Sequence, residues 1–266
     1  MGRARSIAVL SVAVGLVALV GGAGTSARAE GPGLAAAVEV TAAGPAERAL
    51  DGQSCPDGMA LIEGDWCPKV EQRCLRWMDP PGRYHEYRCA EYARPARCLA
   101  PRKHLRFCID RRERTEEGSG LPLNVQSWTD AKRACEALGA RVCKESEWDF
   151  ACEGEQMQPY PYGWKREAGR CNADKMDLLA TDQSKLKDER DPAGAHPSCA
   201  SPFGVLDMAG NVAEWVSVDG VPEGSVVVQK GNWWQPGKHA CRDAQGGHDR
   251  YYRGTETGFR CCAGAE

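Results

Sequence analysis

The residues best suited to chemistry lie near the C-terminus, in KGNWWQPGKHACRDA from Lys230 to Ala244. His239, Cys241 and His248 offer one sulfur and two nitrogens within ten residues, ligands that suit copper or non-haem iron. Cys241 is also the candidate catalytic residue of this loop. The alternative is that Cys241 forms a disulfide and that both histidines are exposed polar residues.

A second set of candidates lies in DMAGNVAEW, residues 207–215. Asp207 and Glu214 carry hard anionic oxygens, and Gly210 permits a tight turn that directs backbone carbonyls inward. These residue types suit a calcium loop. The alternative interpretation is a solvated turn.

The aromatic pair Trp233 and Trp234, with Gln235 and His239, predicts a cleft for a peptide, a sugar or an aromatic ligand. Alternatively, Trp233 fills the core and Trp234 covers a disulfide. Three nearby arginines offer a site for an anionic substrate, although Arg260 equally suits a buried ion pair with Glu147 or Glu214. These cations are Arg242, Arg253 and Arg260.

All 14 cysteines lie between Cys55 and Cys262, and no C-x-x-C spacing argues for zinc. An even number of cysteines in an exported chain predicts disulfides and an oxidising compartment, either periplasmic or extracellular. Their pairing does not follow from the count.

The N-terminal segment predicts export. Residues 1–29 combine arginines, an apolar run and an Ala-Arg-Ala site, which indicates a signal peptide, with an uncleaved anchor as the alternative. Residues 30–53 predict a disordered linker, and 54–266 a folded domain with a cysteine-rich part at 54–108. Beyond residue 29 the chain has 31 basic and 37 acidic residues, so nucleic acid is not an expected partner. We expect a secreted or periplasmic monomer with no stable membrane span after cleavage.

Short elements must position these residues, because glycine and proline interrupt the chain throughout. Met59–Ile62 and Val226–Val228 predict strands. One helix is predicted from a Ser127 cap to Gly139, and another over Glu145–Cys152. The residues expected on the buried face of the first helix are Trp128, Ala131, Ala134, Cys135 and Leu138.

Six segments together resemble the formylglycine-generating enzyme (sulfatase-modifying factor) family. They are SWTDAKRACEALGARVCKESEWDFACEG, YPYGW, GRCN, FGVLDMAGNVAEWV, KGNWW and GFRC, and they follow the family order from about Met59 to Cys262. The resemblance implies an α+β, C-type-lectin-like fold that is rich in disulfides and has little regular secondary structure.

The resemblance also implies two structural calcium ions. One would be bound by Asp207, Gly210, Val212 and Glu214, with the middle two contributing carbonyls. The other would begin at Asn172 and the carbonyl of Ala173, with its remaining ligands in an unaligned segment, residues 182–191.

Two disulfides are implied in the same way. They are Cys135–Cys261, with Cys262 as a substitute for Cys261, and Cys152–Cys241. A Cys108–Cys143 bridge is a further hypothesis.

The family enzyme oxidises a substrate cysteine with copper held by two thiolates about five residues apart. Here Gln235 and Pro236 occupy the region of the first thiolate, and Cys241 is the one sulfur between Gly231 and Gly254. Copper is therefore not an expected cofactor, since soft Cu(I) favours a pair of thiolates.

Two functional hypotheses follow. The first is a calcium-stabilised binding or accessory module whose partner is a protein, a peptide or a small molecule. The alternative is a divergent oxidoreductase, either formylglycine-generating or of the type that oxidises a siderophore precursor.

Overall fold

Twelve short strands and two short helices form the regular structure of the computed structural model, which describes residues 54–179 and 186–266. The predicted signal peptide and linker lie outside the described residues. The α+β fold with little regular structure is confirmed. The strands are β1 (Met59–Trp66), β2 (Val70–Glu71), β3 (Cys74–Trp77), β4 (Cys89–Tyr92), β5 (Arg97–Cys98), β6 (Lys103–Asp110), β7 (Arg141–Val142), β8 (Ala213–Ser217), β9 (Val227–Lys230), β10 (Ala244–Gln245), β11 (Thr257–Gly258) and β12 (Cys261–Gly264), and the helices are α1 (Trp128–Glu136) and α2 (Glu145–Glu153).

The first sheet has the order β1-β6-β12-β7 and is antiparallel. The predicted strand at Met59 is confirmed and continues to Trp66. Its buried residues Ala60 and Ile62 pack with Trp148 of α2 in the larger hydrophobic core. The C-terminal strand β12 thus lies in the interior of this sheet, between β6 and β7.

The second sheet has the order β10-β9-β8-β11, with β8 and β11 parallel. Every residue of β8 is buried, which a strand between two others and covered on both faces requires. The strand predicted at Val226 is β9, which begins one residue later and ends at Lys230.

Residues 67–98 form two additional two-stranded sheets, β2-β5 and β3-β4. Cys67 and Ala96 pack with Met157 and Trp164 in a small core of their own. The predicted cysteine-rich part, 54–108, is therefore built into the domain, because it supplies β1 and most of β6 to the first sheet and packs residues 67–98 through apolar contacts.

Helix α1 begins as predicted. The Ser127 hydroxyl accepts a hydrogen bond from the Asp130 N–H at 3.1 Å, and the Asp130 carboxylate accepts one from the Ser127 N–H at 3.0 Å. Trp128 and Cys135 are buried, as expected. The prediction for Leu138 is wrong, because α1 ends at Glu136 and Leu138 is 58% exposed.

Helix α2 is confirmed, and its first turn is capped by a residue distant in the sequence. Lys144 precedes α2 and provides no side-chain cap. Instead, the Asp219 carboxylate accepts hydrogen bonds from the Ser146 N–H and hydroxyl, at 2.8 and 2.9 Å. The chain thus replaces a local cap with a tertiary one. Among the described residues, neither helix is long and apolar enough to cross a membrane.

All 14 cysteines lie within the described residues, and all are paired. The Cys108–Cys143 hypothesis is wrong, because these cysteines bond to Cys55 and Cys262. The Cys135–Cys261 and Cys152–Cys241 pairs are those that the resemblance implies. The seven disulfides are Cys55–Cys108, Cys67–Cys98, Cys74–Cys89, Cys135–Cys261, Cys143–Cys262, Cys152–Cys241 and Cys171–Cys199. Such a framework is typical of an oxidising, non-cytosolic compartment.

Candidate functional site

The candidate site is the 231–241 loop, and both of its ends are fixed to α2. At its start, the Lys230 ammonium lies 2.8 Å from the Asp149 carboxylate. At its end, Cys241 is bonded to Cys152. Immediately beyond, the Arg242 Nε donates to the Glu153 carboxylate at 2.8 Å. The loop is therefore closed covalently and by two ion pairs.

The ion pairs that hold the loop are buried. Lys230 and Glu153 are fully buried, and the Lys230 ammonium also lies 5.6 Å from the centre of the Trp148 ring. Burial raises the pKa of the Glu153 carboxyl to about 7, although the Arg242 guanidinium acts in the opposite direction. Burial likewise raises the pKa of Asp149, against the effect of Lys230. These carboxyl groups are costly to ionise and depend on their cationic partners.

Cys241 and the two histidines do not come together. Cys241 is in a disulfide and has no free thiol. The ring nitrogens of His239 lie 3.2 Å from the Gly231 carbonyl and 2.9 Å from the Gln235 carbonyl, whereas His248 stacks on Tyr252.

His239 therefore braces the loop from within. Burial lowers its pKa, which favours the neutral ring, and a neutral ring donates to only one of the two carbonyls. In residues 54–179 and 186–266, no three His, Cys, Asp or Glu side chains are grouped as metal ligands would be. The metal site suggested by the spacing of Cys241 and the histidines is thus not formed.

The two tryptophans lie in the core. Trp233 is 7% exposed and Trp234 is fully buried, and their rings meet edge to face with centroids 4.9 Å apart. They pack with Val212 and Ala213. Both rings are thus buried in the core and do not present an open surface to a ligand. This agrees with the alternative for Trp233, whereas Trp234, which the alternative places over a disulfide, packs in the same core cluster.

The space beside the loop is small. Tyr162, Arg166, Asp174 and His239 line a pocket of only about 10 Å³. Gln235 borders no larger described pocket. Access to the loop from this side is thus restricted.

The Asp207 turn contacts the start of the loop, where the Gly210 N–H donates to the Gly231 carbonyl at 2.9 Å. Asp207 has a φ of 58° and its carboxylate accepts a hydrogen bond from the Gly194 N–H at 2.6 Å. Gly210 has a φ of 89°, and a Cβ there would lie 2.2 Å from the Asn172 carbonyl oxygen. Only glycine allows the two backbone segments to approach so closely.

Glu214 forms the buried ion pair of this turn. Its carboxylate accepts hydrogen bonds from the Trp148 Nε1 and the Arg260 Nε, both at 2.6 Å. Glu214 and Arg260 are each 1% exposed. Of the two partners considered for Arg260, Glu214 is the correct one, since Glu147 pairs with Arg141.

Glu113 is a member of this cluster that sequence reasoning missed. Its carboxylate accepts hydrogen bonds from the Asn211 Nδ2 at 2.7 Å and from the Val212 N–H at 3.3 Å. Burial, followed by the negative charges of Asp207 and Glu214, raises its pKa well above the ordinary value. The one available signal was a lone glutamate among the arginines of RRER.

Asn172 lies on the other side of the same turn. Its amide Nδ2 donates to the Glu189 carbonyl at 2.7 Å and to the Asn211 Oδ1 at 3.0 Å. Its own Oδ1 is buried and has no hydrogen-bond partner among the described protein atoms. Of the segment that could not be aligned, Glu189 contacts Asn172 through its carbonyl, and the Asp191 N–H donates to the neighbouring Asn211 Oδ1 at 3.0 Å.

Comparison with known proteins identifies the family. The model of the sulfatase-modifying factor enzyme 1-like domain matches residues 83–265. The chain belongs to this family. The domain in turn is similar to the inactive C-alpha-formylglycine-generating enzyme 2 of Bos taurus, with 29% identity over 56% of this chain and 54% of the relative. The formylglycine-generating enzyme of Mycobacterium tuberculosis is 29% identical over 39% of this chain and 36% of that protein.

A solved structure supports the fold of this sulfatase-modifying factor domain. The crystal structure of CarF superposes with a TM-score of 0.51 and 15% identity, covering 79% of this chain and 99% of CarF. The chain spans about half the length, or less, of the curated relatives it matches.

The calcium ligands implied for this family fit the geometry unequally. Asp207 fits by charge, because it is buried and its negative charge, with those of Glu113 and Glu214, acts on the one guanidinium of Arg260, although these three carboxylates are not grouped as direct ligands of one ion within the described residues. Glu214 does not fit as a direct ligand, since Arg260 and Trp148 occupy its oxygens. Asn172 fits, because a cation would satisfy its unpartnered Oδ1.

Proposed function

We propose that this chain is an exported, non-catalytic member of the sulfatase-modifying factor family that lacks the copper-binding cysteine pair and serves as a binding or accessory module. The observation that carries the proposal is the bond between Cys241 and Cys152. A two-thiolate copper site needs free sulfur ligands. The 231–241 loop contains one cysteine, and that cysteine is committed to a buried disulfide.

Two further observations support the non-catalytic role. The pocket beside His239 is about 10 Å³, far smaller than the few hundred cubic ångströms of ordinary ligand sites. The family also contains relatives named as inactive formylglycine-generating enzymes. Export is supported by the seven disulfides and by the composition of residues 1–29.

Calcium is the structural cofactor of this proposal. Asp207 and the carbonyls of Gly210 and Val212 would hold one ion, with Glu113 supplying negative charge in place of the occupied Glu214. Asn172 and the Ala173 carbonyl would hold the other, next to Glu189. The buried excess of carboxylates and the unpartnered Asn172 oxygen support this assignment.

The decisive test is an assay for aldehyde formation. Oxidised protein supplied with copper is incubated with a peptide bearing the C-x-P-x-R motif, and the peptide is analysed by mass spectrometry. The formylglycine-generating enzyme of M. tuberculosis serves as the positive control. We expect no aldehyde above a protein-free blank. Aldehyde that accumulates at the rate of the positive control would overturn the proposal in favour of the oxidoreductase alternative.

A further inference from the structure

Charge is distributed unevenly along this chain. Residues 68–103 contain nine basic and four acidic residues, a net charge of +5. The whole chain has a net charge of −3, so all other residues together carry −8. The basic segment therefore stands out from an acidic remainder, which favours contact with a negatively charged partner.

Two arginines at strand β3 form no ion pair within the described residues. Arg88 pairs with Asp79, and Arg97 with Glu71. Arg73 and Arg76, on either side of Leu75, are exposed, and neither lies within 4.0 Å of a carboxylate of the described residues. Arg76 lies opposite Glu91 of β4, but the Glu91 carboxylate pairs with Lys165 at 2.8 Å, so both guanidinium groups remain available to bind carboxylates of a partner.

The same stretch exposes apolar side chains and a strand edge. Leu75 is 52% exposed and Met78 is 41% exposed. Strand β3 pairs with β4 on one side, and no described strand pairs with its other side. We refer to residues 73–78 as the β3 edge. It combines backbone groups, apolar side chains and free cations in six residues.

The β3 edge is held rigidly. The Cys74–Cys89 disulfide links β3 to β4, and Cys67–Cys98 closes the segment at its base. Tyr160 also fixes β4, by donating its hydroxyl to the Cys89 carbonyl. A surface fixed in this way loses little conformational entropy on binding.

We propose that the β3 edge binds an extended acidic segment of a partner protein, which adds to β3 as a further strand. Main-chain hydrogen bonds to β3 supply affinity, and the side chains that flank the edge supply selectivity. Arg73 and Arg76 bind carboxylates of the partner, while Leu75 and Met78 contact its apolar residues. The inference names the surface used in the binding role proposed above and rests on that role. The family match begins at residue 83, so β3 precedes it.

A peptide of defined pattern tests the proposal. The probe is a fluorescein-labelled ten-residue peptide in which glutamate alternates with valine, titrated with the full chain and followed by anisotropy. One control has the same composition, with five glutamates followed by five valines. A second control is methylated at every peptide nitrogen, so it keeps its charge and cannot donate main-chain hydrogen bonds. A labelled heparin oligosaccharide serves as the non-peptide polyanion.

We expect the alternating peptide to bind and both controls to bind roughly tenfold more weakly or not at all. The R73E/R76E variant should weaken binding of the alternating peptide by at least roughly tenfold. The variant R112E changes another exposed arginine without an ion pair and should leave binding within about twofold, as a control for net charge.

The proposal is overturned if the alternating peptide does not bind, if the controls bind equally well, or if heparin alone binds. None of these outcomes depends on the aldehyde assay. Failure at the β3 edge is therefore distinguishable from failure of the non-catalytic assignment.

Discussion

Glu153 shows how one residue couples this fold to pH. It is fully buried beside the Cys152–Cys241 disulfide, and its carboxylate is paired with Arg242. Because burial raises its pKa to about 7, the folded protein binds this proton more tightly than the unfolded chain does. Glu153 therefore contributes least to the stability of the fold above its raised pKa, where the buried carboxyl group is ionised.

The first prediction concerns this proton. The contribution of Glu153 to the free energy of unfolding should be fully present below about pH 4.5 and lost as the pH rises through about 7, by on the order of 3 kcal/mol. Denaturant unfolding with intact disulfides at pH 5 and pH 8 measures the loss. Glu153→Gln, which imitates the neutral acid, should show a smaller loss than the wild type. An equal loss in both proteins would contradict the prediction.

The second prediction concerns Asn172. If its unpartnered oxygen binds calcium, saturating calcium at 100 times the dissociation constant should stabilise the wild type by about 2.7 kcal/mol relative to chelator. Asn172→Ala should reduce this calcium-dependent increment, measured as the change in melting temperature between calcium and EGTA. Asn124→Ala, at a half-buried asparagine elsewhere, is the control and should keep the full increment. An unchanged increment in Asn172→Ala would remove Asn172 from the ligand set.

Helix α2 is the element that organises the candidate site. Eight of its nine residues are buried, so the helix lies in the interior of the domain and not on its surface. Lys230 and Arg242 reach it from the two ends of the 231–241 loop, and Asp219 caps its first turn. The position of the loop therefore depends on how firmly α2 is held.

The third prediction tests the cap of α2. Asp219→Ala removes the acceptor for the Ser146 N–H and hydroxyl and should cost about 1 kcal/mol in the free energy of unfolding. Hydrogen exchange in the first turn of α2 should accelerate as well. Asp219→Asn retains an acceptor oxygen and is the matched control, with an expected loss of less than half. Equal losses in the two variants would show that charge, and not capping, is the important property.

On the scale of the whole molecule, much of the architecture follows from local sequence. The Ser127 cap, both helices and the first strand could be predicted, because capping and apolar spacing act over a few residues. Glu113 and Asp219 could not, since each acts on a residue distant in the chain. The pairing of Cys143 with Cys262 likewise depends on the sheet that brings β7 beside β12.

The fourth prediction concerns the two neighbouring disulfides Cys135–Cys261 and Cys143–Cys262. When one of these disulfides is present, it already joins the two chain segments in the unfolded state. The other disulfide then closes a loop of only about ten residues. Removing either pair by substitution with alanine should cost about 3 kcal/mol, and removing both should exceed the sum by about 1 kcal/mol. Chemical denaturation of the two double variants and the quadruple variant measures this coupling. Strict additivity would contradict it.

The position of β12 also sets the order of events during biogenesis. Successive residues of a strand point to opposite faces, so Cys261 and Cys262 reach different partners only in the correct register. A slip of one residue would turn each cysteine to the opposite face and away from its native partner. The native partners of Cys135 and Cys143 are therefore in place only after Cys261 and Cys262 have been synthesised and β12 has paired with β7. The disulfide pairing of a folded sample thus shows whether β12 was inserted in the correct register. A thiol-disulfide isomerase is the class of enzyme that would correct a chain with the wrong pairing.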